Sequence, residues 1–117
     1  MNFIEKTPDS LDLLSFFEST PFFSDELDHI YGYSYSDSYG VKLTFSYAAL
    51  EGWVQTIIEF KGDVISQHLS EGVNSFEIRG EIEGEYLFCQ VNFTDCVTQM
   101  EVRLKPKISV KWNTLLK

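Results

Sequence analysis

The spacing of apolar residues changes period near residue 25. Before it, TPDSLDLLSFFES places Leu11, Leu14 and Phe17 at i, i+3 and i+6, and Leu13 and Phe16 widen the stripe, which predicts one short helix. Thr7 suits the N-cap, and Pro8 suits the first helical position, where a missing N–H is harmless. Asp9 and Asp12 favour the positive end of the helix dipole. Pro21 closes the segment, because the residue before a proline avoids helical geometry. A helix this short needs a surface to pack on.

After residue 25 the period is two. Leu27, His29, Tyr31, Tyr33 and Tyr35 alternate with Asp28, Ile30, Gly32 and Ser34. Ser36 to Gly40 then make a turn, and Val41, Leu43, Phe45 and Tyr47 alternate again. Residues 25–35 and 41–48 therefore predict an antiparallel hairpin with one apolar face. WVQTIIEF carries apolar groups on both faces and predicts a central strand, whereas VISQHLSEGV fits a short strand or a helical turn. Phe76, Ile78 and Ile82 lead to a Glu83-Gly84 reversal. Leu87 to Phe93 and Met100 to Leu104 then form further strand faces, and Pro106 interrupts a run that resumes at Ile108. The expected architecture is α+β over a single domain, residues 1–117. It has one N-terminal helix and a mainly antiparallel, curved sheet of six or seven strands, with a small β-sandwich as the alternative.

Composition adds limits. A hydrophobic content of 44% and an aromatic content of 15% predict a folded globule, and no apolar run approaches the length of a membrane span. The first residues, MNFIEKTPDS, lack the basic start and apolar run of a secretory signal, so a cytoplasmic location is expected. Cys89 and Cys96 match neither a C-x-x-C redox spacing nor a common zinc arrangement, and are read as buried thiols.

Charge changes the picture most. Residues 1–40 hold eight carboxylates against Lys6, and residues 41–102 hold ten against Lys42, Lys61 and Arg79. Residues 103–117 carry Arg103, Lys105, Lys107, Lys111 and Lys117 and no acid, giving a net charge of −9. Such a field disfavours nucleic acid and anionic membrane, and favours basic partners. The basic tail alternates with Leu104, Ile108, Val110 and Trp112, so its cations are expected to meet the chain's own acidic strands.

No recognisable catalytic motif is present, and the two histidines are far apart in sequence. The densest polar group is SDELDH, Ser24 to His29. It reads either as a metal, acid-base or partner-binding patch or as a solvated strand entry; with one histidine and no second His or Cys at ligand spacing, no metal or other cofactor is expected. Glu77, Glu81, Glu83 and Glu85 form a second acidic group, either partner-complementary or solubilising. The tyrosines at 31, 33, 35, 39 and 47 fit a recognition surface or the inner face of a sheet.

The succession of PFFSDELDHI, the hairpin segment VKLTFSY, the II-E-F strand and SFEIRGEIEGEYLFCQVNF resembles the small β-rich immunity proteins that accompany bacterial polymorphic toxins. The resemblance spans about residues 20–104 and implies a single-domain protein that binds and neutralises a partner toxin. Because toxins that act on nucleic acids are commonly basic, an acidic inhibitor would gain association rate by steering. The expected function is a non-enzymatic, monomeric or weakly homodimeric cytoplasmic inhibitor. Its expected contacts are Asp25, Glu26, Asp28, Tyr33, Tyr35 and Asp37. Two alternatives stand beside it: a homodimeric scaffold pairing edge strands near Pro106, and a small enzyme using His29 with its neighbouring carboxylates.

Overall fold

Two antiparallel meanders, joined by one glycine, make up most of the chain. The computed structural model describes residues 3–117. After α1 (Ser10–Phe17), the first meander comprises β1 (Phe23–Asp25), β2 (Ile30–Ser36), β3 (Val41–Ala48), β4 (Trp53–Phe60) and β5 (Asp63–Glu71). The second comprises β6 (Val73–Glu81), β7 (Gly84–Asn92), β8 (Cys96–Arg103) and β9 (Ser109–Leu116). Each sheet keeps its strands in sequence order, β1-β2-β3-β4-β5 and β6-β7-β8-β9. Gly72 alone separates them. Its φ of +73° lies in the left-handed region, which glycine enters without a Cβ penalty, and there the chain leaves one sheet for the other.

The expected single curved sheet of six or seven strands is therefore replaced by a mostly β protein. Among the described residues, nine strands divide into sheets of five and four, with one eight-residue helix. Two local features explain the shortfall. The expected strand over 25–35 breaks into β1 and β2, because residues 26–29 form a turn that ends on His29 at φ 53°. VISQHLS, ambiguous by period, is β5, exposed along nearly its whole length and therefore free of any strong apolar alternation.

Both sheets turn an alternating apolar face to a shared core. Leu43, Phe45, Tyr47 and Val54 come from the first, and Phe76, Leu87, Cys89, Val91, Met100 and Val102 from the second. Aromatic rings form a column through this core. Phe17 stacks on Tyr33 at 4.8 Å, Phe45 meets Phe76 edge-on at 5.5 Å, and Tyr47 meets Phe76 at 4.7 Å. Burying each large apolar side chain stabilises the fold by roughly 1.5–3 kcal/mol, and each ring pair adds about 0.5–1.5 kcal/mol.

The N-terminal segment ties the sheets together at one end. Ile4 N–H donates to the Ala49 carbonyl after β3, while Glu5 N–H donates to Asn74 O and Phe76 N–H to Lys6 O on β6. The helix follows directly. Its N-cap is Asp9 rather than Thr7: the Asp9 side chain accepts from Asp12 N–H at 2.8 Å. Glu18 ends the helix in the left-handed region at φ 59°, before Pro21 is reached. The buried face also differs from the expected one. Leu13, Phe16 and Phe17 enter the core, whereas Leu11 and Leu14 are 73% and 39% exposed. Pro106 falls in the β8–β9 connection, outside both strands.

Candidate functional site

Leu11 and Leu14 face a groove of about 560 Å³ between α1 and the β1–β2 region. Pro8 and Pro21 contribute apolar walls, and Tyr31, Tyr33 and Tyr47 line it from the sheet. Glu26 and His29 bring polar groups to the same space.

The turn between β1 and β2 sets the acidic lip of this groove. Asp25 Oδ1 accepts from the backbone N–H groups of Leu27 and Asp28, each at 3.1 Å, an Asx-type turn that fixes the loop. Glu26 is exposed, and its Oε2 accepts from the Tyr31 hydroxyl at 3.1 Å. Burial, reinforced by the Glu26 carboxylate, pushes the Tyr31 hydroxyl above its ordinary pKa of 10.0, so it stays a neutral donor at physiological pH. The Asp28 side chain is exposed, and Leu27 projects into solvent at 90% exposure. His29 is also exposed. Its carbonyl accepts from Ala49 N–H at 3.0 Å, and among the described residues its imidazole makes no hydrogen bond to a carboxylate.

The six residues expected to contact a partner thus separate into three groups. Asp25, Glu26 and Asp28 lie together on the turn. Tyr33, only 2% exposed and stacked on Phe17, belongs to the core, and burial raises its pKa. Tyr35 is half-buried against the core, and Asp37 closes the β2–β3 turn by accepting from the N–H groups of Tyr39 and Val41 at 2.8 and 3.0 Å. Assigning Leu11 and Leu14 to the buried stripe concealed their place in the groove. The available signal was a surplus: five apolar residues in an eight-residue helix exceed what one core-facing stripe of that length uses.

Elsewhere, two of the four glutamates of the second acidic group, Glu77 and Glu81, are paired with cations, and Glu83 and Glu85 make no ion pair among the described residues. Glu77 pairs with Arg79 at 2.7 Å and with Lys6 at 3.6 Å, and Arg103 bridges Glu81 at 2.9 Å and Glu101 at 2.6 Å. Arg79 lies over Phe88 and Arg103 over Tyr86, with their guanidinium carbons 3.7 and 4.6 Å from the ring centroids. Lys105 pairs with Glu18 at the helix end. Both cysteines are free. Cys89 is buried, which pushes its thiol up to about 12, and Cys96 is half-buried. Among the described residues, no cluster of three His, Cys, Asp or Glu is placed to hold a metal, and no helix is long and apolar enough to cross a membrane.

Fold and surface together define a small antiparallel two-sheet protein whose helix and first hairpin frame an acid-lipped apolar groove. No protein-family model matches the sequence, and no curated protein does. Among solved structures, a chain of a contact-dependent growth inhibition toxin - immunity protein complex from Klebsiella pneumoniae 342 is similar throughout. Its TM-score is 0.93 at 30% identity, with 97% of this chain and 99% of that chain covered. The chain belongs to the small β-rich immunity proteins of bacterial polymorphic toxin systems.

Proposed function

We propose that this immunity protein neutralises a partner toxin by binding alone, without chemistry of its own. In this reading the groove between α1 and the β1–β2 region receives a basic part of the toxin. Exposed Leu11 and Leu14 and the ring of Tyr31 supply apolar contact, while Asp25, Glu26 and Asp28 draw in and orient cationic side chains. Tyr33 and Tyr47 support the groove floor from the core. The blockade is steric and electrostatic, and the protein acts as a monomer in the cytoplasm of the cell that makes it.

The observation that carries this reading is the coincidence, in one groove, of exposed apolar side chains with a turn whose carboxylates form no ion pair among the described residues. Leu11, 73% exposed on a short helix, contributes little to the core, and a net charge of −9 steers basic proteins toward the surface. A direct test measures binding of the partner toxin domain to Leu11→Arg and Glu26→Lys by biolayer interferometry. Both variants should keep the native circular dichroism spectrum and lose at least tenfold in affinity. Native affinity in both would move the interface elsewhere.

A further inference from the structure

The four sheet edges of this protein are not protected alike. β1 is only three residues long, too short to template a partner strand. The β6 edge is covered near its start by residues 5 and 6. β9 carries Lys111 within the strand, a common guard against edge pairing. β5 has none of these devices: it runs nine residues, pairs only with β4 among the described residues, and contains no lysine, arginine or proline.

Three further observations bear on β5. Its apolar residues are exposed, with Val64, Ile65 and Leu69 each more than half accessible. Its only irregularity is a bulge opposite Ile58 and Glu59, near one end, which leaves Ser66–Glu71 in regular register with β4. The strand is nevertheless anchored, because the His68 ring sits 4.0 Å from the Trp112 ring of β9. An exposed strand held in place is a rigid template, so a partner strand would not have to order it on binding.

Charge selects the occupant. The seven residues between Asp63 and Glu71 carry no lysine, arginine or carboxylate, and the two ends are acidic. A second copy pairing antiparallel about Gln67 would set Asp63 of each copy against Glu71 of the other and join two chains of net charge −9. An extended segment with basic ends and an uncharged, β-branched middle meets none of that repulsion and complements both termini.

We propose that the free edge of β5 is a strand-addition site for an extended, basic-ended segment of a partner protein. The mode is β-augmentation: main-chain hydrogen bonds along the regular Ser66–Glu71 stretch supply affinity, and exposed Leu69 contacts a side chain of the added strand. The site is separate from the groove, since β1 and β5 lie at opposite edges of the same sheet.

The test uses two capped nine-residue peptides of alternating threonine and valine, one ended by lysines and the other by glutamates. Each is titrated into the full-length isotope-labelled protein at low salt, with amide hydrogen exchange read by NMR. The lysine-ended peptide should protect amides within residues 63–71 and bind at least tenfold more tightly than its glutamate-ended counterpart. The Asp63→Lys/Glu71→Lys variant, with native circular dichroism, should invert that preference. Absence of β5 protection, equal binding of the two peptides, shifts confined to Glu26 and Tyr31, or β5 protection that grows with protein concentration alone would each overturn the proposal. Because neither substitution touches the groove, loss of toxin binding in Glu26→Lys is read independently.

Discussion

On the outer face of the β6–β9 sheet, Glu77, Glu81 and Glu101 each meet a guanidinium, and the guanidiniums in turn lie on Phe88 and Tyr86. At the corner of α1, β1 and β2, Asp25, Glu26 and Asp28 take part in no ion pair among the described residues; Asp25 accepts from two backbone N–H groups and Glu26 from a tyrosine hydroxyl. Both groups look alike as runs of carboxylates. The first is spent inside the molecule, on a cation two residues further along the same strand for Glu77 and Glu101 and across β7 for Glu81, while the second projects an unbalanced field beside an apolar groove. Local acid density therefore says little about binding until the register shows which cations face it.

The strongest way to break the contrast is to remove the groove wall. Phe17→Ala deletes the ring that ties α1 to Tyr33 and Phe45. It should destabilise the protein by about 3–5 kcal/mol, seen as a lower urea midpoint at unchanged slope. Toxin affinity should fall with it even at temperatures where the variant remains folded, because Leu11 and Leu14 are no longer held. Full affinity in folded protein would dissociate the helix from recognition.

The contrast is sharpened by reversing charge in one region and neutralising it in the other. Asp25 is left intact, since its carboxylate shapes the turn. Glu26→Lys/Asp28→Lys should slow toxin association about tenfold or more at low salt and much less at high salt, with Tm nearly unchanged. Glu81→Gln/Glu101→Gln should show the opposite profile, with lower Tm and native association. Stopped-flow rates and thermal melts on both pairs decide between them. Slowing in proportion to the charge changed, four units against two, would mean that the field of the whole molecule matters and its distribution does not.

Arg103→Ala tests the paired side alone. It removes two carboxylate contacts and the stack on Tyr86, and leaves Glu81 and Glu101 facing each other without a cation. The native residue is not perfectly matched, since its Nη1 is closed off from solvent without a hydrogen-bond partner. A fall in Tm of roughly 3–6 °C is expected, with toxin binding preserved. An unchanged melt would show that these contacts only offset the cost of holding the side chain in place.

Much of this contrast could be read from residue order, and the part that could not has physical causes. The pairing of residues 30–36 with 41–48 followed from twofold alternation around a polar turn, and the helix from its apolar spacing. The division into two sheets did not, because Gly72 redirects the chain within a single residue and leaves no loop to announce it. Tyr33 and Tyr35 share a face by period, but period cannot say that Phe17 covers that face, so Tyr33 passed for a surface residue. The SDELDH cluster was read as the start of a strand, whereas residues 26–29 form a turn, and its apolar companions Leu11 and Leu14 were hidden by treating every apolar helix position as core. The tail's use of Arg103 and Lys105 on the chain's own acids was legible from charge alone.

The smallest expected effect separates the two regions by pH. The Arg79 guanidinium, with help from Lys6, holds the Glu77 carboxyl below its ordinary value of 4.5. A carboxyl whose folded pKa is depressed contributes stability above its unfolded pKa and loses it as pH falls through the folded value. The Glu77 contribution should therefore be whole at neutral pH, begin to decline near 4.5 and vanish below its lowered pKa. Glu77 is about one third exposed, and solvent screening keeps the pair within the range of surface ion pairs, about 0.2–1 kcal/mol. Glu77→Gln should lower stability by that amount at pH 7 and by nothing near pH 3, so native and variant urea midpoints converge on acidification. Glu26→Gln, whose carboxylate makes no ion pair among the described residues, should not lower the urea midpoint at pH 7. If it does, the groove lip carries an electrostatic partner within the fold and the contrast between the two acidic regions collapses.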